Sequence, residues 1–114
     1  MTLDSLASAI LATSTEEPAQ RLAKHLLEWK GDDTTVEDLN SGTEKFIGYT
    51  WFSTDEIHSQ IYKLWSEFRN SSIQRISGMT MNERLFCFGL TSRFDSAQSE
   101  NSRKVIYAKL LAHT

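Results

Sequence analysis

The sequence predicts an all-α fold: a single domain of about five helices packed around a central amphipathic helix over residues 53–69. Three observations predict it. The chain of 114 residues holds one proline and five glycines, so little interrupts long helices. Its apolar residues recur at helical rather than strand spacing. Runs opening at Ser14, Ser53 and Thr80 each place a glutamate three residues on, the capping-box spacing of a helix start.

Leu3, Leu6, Ile10 and Leu11 mark a short first helix, with Asp4 near its positive end. The second helix follows Ser14–Glu17 and runs to about Lys30. Pro18 falls in its first turn, where the missing N–H costs nothing. Leu22, Leu26 and Trp29 form its buried face, widened by Ala19, Ala23 and Leu27. Gly31 is read as its stop, because glycine enters the left-handed region without strain. From Asp32 to Gly48 the pattern weakens. Thr35 to Leu39 reads as one or two helical turns, and Asn40-Ser41-Gly42 as a loop. Phe46 to Phe52 is rich in aromatics, and periodicity does not separate strand, short helix and connector there. No second segment reads as a pairing strand, so the run is taken as a connector packed on the central helix.

The central helix carries Ile57, Ile61, Leu64, Trp65 and Phe68 at i, i+4, i+7, i+8 and i+11, one face of a 3.6-residue period. Burying each contributes about 1.5–3 kcal/mol. Ordering the backbone costs about 1–2 kcal/mol per residue. The helix therefore needs other apolar faces against it. Asn70-Ser71-Ser72 ends it, with Ile73 and Ile76 anchoring a further turn. A fourth helix is predicted over 81–94 with Leu85, Phe86, Phe88, Leu90 and Phe94, where Gly89 permits a close crossing. The last covers about Glu100 to Ala112, with Val105, Ile106, Ala108, Leu110 and Leu111 on a broad apolar side.

Composition narrows the function classes. Hydrophobic residues are 39% and aromatics 11%, which suits a folded domain. The formal net charge is -3, against the basic excess usual in nucleic-acid binders. No apolar run reaches the length of a bilayer span. The start lacks the basic region of a signal peptide. Cys87 is the only cysteine, which excludes an internal disulfide and suits a reducing, cytoplasmic setting.

Catalytic and metal-binding patterns are weak. His25 and Glu28 have an i, i+3 spacing used in some carboxylate metal sites, but no matching second motif follows. His58 lies between polar residues, and His113 is terminal; surface or partly buried histidines are the plainer reading. Cys87 sits in Leu-Phe-Cys-Phe-Gly, an apolar setting that suits an inert thiol. Asp32, Asp33, Glu37 and Asp38 lack the spacing of a calcium loop. No phosphate-binding glycine loop or nucleophile elbow is present. The sequence thus predicts neither a cofactor nor a metal, and no enzyme.

What remains is binding. Up to Gly48 the acids Asp4, Glu16, Glu17, Glu28, Asp32, Asp33, Glu37, Asp38 and Glu44 face only Arg21, Lys24, Lys30 and Lys45. A solvated face is the ordinary reading of such charge; attraction of a basic partner is the functional one. Phe46, Tyr49, Trp51 and Phe52 are the aromatic candidates, since Trp and Tyr dominate interface energetics. Phe46 and Phe52 are assigned to closing the core, and Tyr49 and Trp51 are left between core and contact.

Thr80-Met81-Asn82-Glu83-Arg84-Leu85, followed by Gly89-Leu90 and Phe94-Asp95, resembles a segment of small bacterial helical proteins with no established activity, with the toxin-immunity type as the class it suggests. The resemblance is confined to Thr80–Asp95. It implies a bacterial origin and a helical C-terminal half, and no catalytic residue. The acidic half and the absence of chemistry favour a protein-binding inhibitor, such as an immunity protein covering a basic toxin domain through Asp32, Asp33, Glu37, Asp38, Glu44, Tyr49 and Trp51. The alternatives are a subunit self-associating through the aromatic run, and an enzyme or metal protein using His25, Glu28, His58 or Cys87.

Overall fold

A computed structural model describes residues 1–112, all helix and connection, with no strand among the described residues. The α-helices are α1 (Leu3–Thr13), α2 (Glu17–Trp29), α3 (Val36–Tyr49), α4 (Asp55–Phe68), α5 (Met81–Cys87), α6 (Thr91–Ser96) and α7 (Glu100–Lys109). A π turn over Arg69–Ile73 and a 3-10 turn over Ile76–Gly78 lie between α4 and α5. The all-α expectation holds; among the described residues the α-helices number seven rather than about five. His113 lies outside the described residues.

Two segments account for the difference. Residues 36–49 form one helix, where a short turn, a loop and a connector were expected. Thr35 and Asp38 cap it reciprocally, each side chain bonding the other's backbone N–H. Val36, Leu39, Thr43 and Ile47 then line its buried face at i, i+3, i+7 and i+11. Thr43 is polar, which masks the stripe in the sequence. Gly42, read as a loop residue, faces α2: a Cβ there would lie 3.4 Å from His25 Cε1. The small residue thus serves close helix packing rather than a turn.

The expected helix over 81–94 breaks at Phe88–Leu90 into α5 and α6. Gly89 has φ +68°, and an added Cβ would collide with the Asp4 carboxylate and meet Lys30 Nζ at 2.9 Å. The glycine expected at a helix crossing is a left-handed break lying against the Asp4–Lys30 ion pair. Gly31, expected to be left-handed, is not; Gly89 is the glycine with positive φ.

Capping differs in detail. Thr80 and Glu83 form the expected reciprocal box. For α4 the cap is Thr54, not Ser53: its hydroxyl accepts from Ile57 N at 3.1 Å. For α2 the cap residue is Glu16, without a side-chain bond to the helix, while Ser14 Oγ accepts from Glu16 N.

The middle row of α4 faces inward. Ile61, Trp65 and Phe68 are fully buried, and Ile57 and Leu64 pack partly buried against the core. The central position belongs to α1, which packs against both α2 and α4 through Leu3, Leu6, Ala7 and Ile10. Aromatic contacts join the layers: Phe88 meets Phe68 edge-on at 5.5 Å and Trp29 at 5.8 Å. Cys87 packs partly buried on the same core.

Helix α7 is held by its C-terminal end. Lys109 Nζ donates to Asp32 O, Asp32 Oδ1 and Thr34 O at 2.8–2.9 Å and lies 4.0 Å from the centre of the Trp29 ring. Arg84 Nη1 donates to the carbonyls of Leu110 and Leu111, both at 2.9 Å, satisfying groups the helix end leaves orphaned. The broad apolar side expected of this helix is not buried as a whole: Leu110 is enclosed, Ile106 partly, while Val105, Ala108 and Leu111 are exposed.

Candidate functional site

The corner between α3 and α4 holds the two most exposed large aromatics of the described residues. Trp51 is 91% exposed and Tyr49 85%. The connector, residues 50–54, is fixed around them. Extended backbone at Thr50 leads to alternating directions, so Trp51 faces water while Phe52 turns into the core. The Phe52 ring lies 5.6 Å from that of His58. His58 Nε2 donates to Ile47 O at 3.1 Å, tying α4 to the last turn of α3. A carbonyl only accepts, so this bond places a proton on Nε2. Ser53 N donates to Glu16 Oε1 at 3.0 Å, fastening the connector to the start of α2. Hydrogen bonds from Ser53, first through its side chain and then through this backbone N–H, hold the Glu16 carboxyl below its ordinary range.

These contacts frame an open hollow of about 320 Å³, lined on one side by Gly48, Tyr49, Thr50, Trp51 and Phe52 and on the other by Thr54, Asp55 and His58. Asp55 is its one carboxylate. No lysine or arginine contributes to the lining among the described residues.

The candidate residues read from sequence divide between this corner and elsewhere. Tyr49 and Trp51 come together. Asp33 and Glu37 are exposed. Asp38 is exposed and occupied in capping α3. Glu37 is twelve residues before Tyr49 on α3, so the acidic end and the aromatic end are about 18 Å apart along the helix axis. Asp32 is bound to Lys109. Burial pushes the Asp32 carboxyl up, but hydrogen bonds from Lys109 and Thr34 outweigh it and leave it below the ordinary value. Glu44 accepts from Trp65 Nε1 at 3.2 Å and from Arg69 Nη1, whose guanidinium also lies over the Tyr62 ring. Both carboxylates fasten the fold while keeping an exposed edge.

Sequence reasoning missed Asp55 and Glu16 as parts of the corner. Asp55 is a first-turn acid of α4, a common place for a carboxylate, and nothing in the spacing from Glu16 to Ser53 signals their bond.

The residues of the metal alternative do not converge. His25 is partly buried, stacked on Phe46 at 5.8 Å and 3.3 Å from Thr43 Oγ1. Burial holds its pKa below the ordinary value despite the nearby carboxylates of Asp32 and Glu28. Glu28 is exposed and faces Lys24. Among the described residues no group of three His, Cys, Asp or Glu side chains is arranged to hold a metal ion. No helix among them is long and apolar enough to cross a membrane.

Comparison of the chain with protein-family models, with curated proteins and with solved structures finds no match.

Proposed function

We propose that this chain is a protein-binding module whose contact surface centres on Trp51 and Tyr49, and that it acts as an inhibitor of the immunity type, neutralising a basic protein by direct contact in the cytoplasm. The observation that carries the reading is the exposure of two large rings, Tyr49 at the end of α3 and Trp51 on the connector, beside residues fixed by the burial of Phe52 and the bond of Ser53 to Glu16. A tryptophan left in water forgoes burial worth about 1.5–3 kcal/mol, the range for a large apolar side chain. Held on an immobilised connector, such a ring loses little further freedom when a partner covers it. Tyr and Trp are the residue types enriched where binding energy concentrates. Asp55 lies beside the aromatic pair at the start of α4, while Asp33, Glu37 and Asp38 sit at and before the far end of α3 and would guide a cationic partner at longer range.

The test is capture of a partner from the native cell by the wild-type chain and by Trp51→Ala, followed by reconstitution from purified components. The reading expects a protein that binds the wild type, is inhibited by it, and is not retained by the variant. A dimer in sedimentation velocity that Trp51→Ala dissociates, with no other protein bound, would instead assign the surface to a second copy of this chain.

A further inference from the structure

We infer that the hollow between α3 and α4 is a receptor for a single arginine side chain presented by the partner protein. The inference rests on the reading of Trp51 and Tyr49 as a contact surface and specifies what they contact.

Four aromatic rings of this chain carry a cation of its own. Arg21 lies 5.5 Å from the centre of the Phe46 ring, Arg69 5.9 Å from Tyr62, Arg103 5.1 Å from Phe94 and Lys109 4.0 Å from Trp29. Tyr49 and Trp51 carry no cation of their own among the described residues, although they are the most open rings. Indole is the best cation acceptor of the aromatic side chains.

Helix α3 brings the polarity of its C-terminal end to the hollow. The last turn of a helix presents carbonyls without intrahelical partners, at the negative end of the helix dipole. The last turn of α3 contains no basic residue. Among the described residues the Ile47 carbonyl receives His58, while those of Phe46, Gly48 and Tyr49 receive no hydrogen bond from beyond the helix. The hollow opens beside this end.

Asp55 lies on the facing side of the hollow, and no salt bridge among the described residues engages it. The opposing positive end of α4 is offset by the Thr54 cap and by Asp55 and Glu56 in the first turn. A cationic group thus meets open π faces, unclaimed carbonyls and a carboxylate. A guanidinium satisfies all three at once, because it is planar, stacks on rings and carries five donors; an ammonium is a compact point charge that stacks less well.

The experiment is a titration of the full chain, labelled with 15N, against acetyl-Gly-Arg-Gly-amide up to roughly 20 mM, at the weak end of the affinity scale. The citrulline and lysine analogues are titrated in parallel. The Trp51 indole N–H and the amides of Gly48 and Asp55 are expected to move with the arginine peptide, several-fold less with lysine, and not with neutral citrulline. Asp55→Asn and Trp51→Phe are each expected to weaken the arginine response about threefold to tenfold, with unchanged spectra elsewhere as the check on folding. Equal responses to arginine and citrulline, shifts mapping away from the corner, or no shift at all would overturn the inference. If Trp51→Ala nevertheless abolishes binding of the partner protein, the contact surface stands and only the arginine assignment fails.

Discussion

Lys109 Nζ lies 2.8 Å from Asp32 Oδ1 and is almost wholly enclosed, joining the last helix to the connection between α2 and α3. The ammonium spends its three donors on Asp32 O, Asp32 Oδ1 and Thr34 O, and covers its remaining surface with the Trp29 ring. This pairing fastens α7, whose other flank is open to water at Val105 and Ala108.

Replacing Lys109 with methionine keeps the stem but orphans those acceptors. The expected loss is about 1–3 kcal/mol, read by urea unfolding, because Asp32 retains an exposed edge that water can reach. Asp32→Asn keeps an acceptor oxygen and is expected to cost less than Lys109→Met.

Stability is expected to fall with acid in two stages. Burial lowers the His25 pKa from its ordinary 6.5, so the unfolded chain takes up that proton first. The neutral ring's contribution is complete above pH 6.5 and is lost as pH falls through and below that value. The Asp32 carboxyl lies below its ordinary 3.8 and those of Glu16 and Glu83 below their ordinary 4.5, so these contributions are complete above those values and are lost as pH falls further. Melting temperature against pH should therefore bend twice, with the upper bend missing in His25→Gln and the lower one reduced in Asp32→Asn.

Two glycines are expected to respond oppositely to alanine. Gly89→Ala forces a side chain into the left-handed region and against Asp4 and Lys30, and should cost about 1–3 kcal/mol. Gly48→Ala lies in α3 with nothing within 4 Å of the new methyl, and should stabilise by about 0.4–1 kcal/mol. Thermal or chemical unfolding of the two variants checks both signs.

Glu16→Ala removes the acceptor for Ser53 N without touching the core. The connector should loosen, seen as faster amide exchange at Ser53 and Trp51, while the melting temperature changes little because Glu16 makes no side-chain bond to α2 and its bond to Ser53 lies at the surface.

The helical class and the buried rows were legible wherever apolar residues kept helical spacing. The row Ile61, Trp65, Phe68 and the stripe Leu22, Leu26, Trp29 are inside as read, while Leu27, read as widening that stripe, is exposed. Helix α3 was not legible, because Thr43 stands at a buried position and Gly42 and Gly48 look like loop residues. The split of α5 from α6 was hidden for the opposite reason: the apolar pattern continues through a break that a single glycine conformation creates. The candidate site was half legible. Composition singled out Tyr49 and Trp51, while the engagement of Asp32 by Lys109 spans 77 residues and that of Glu44 by Arg69 spans 25, distances over which local patterns carry no information.

The most direct measurement is the affinity of the purified partner for wild-type chain and for Trp51→Ala, each shown to have the same melting temperature. The account predicts a loss of at least about thirtyfold, the scale of a residue at the centre of an interface. Equal affinity for the two proteins would contradict it.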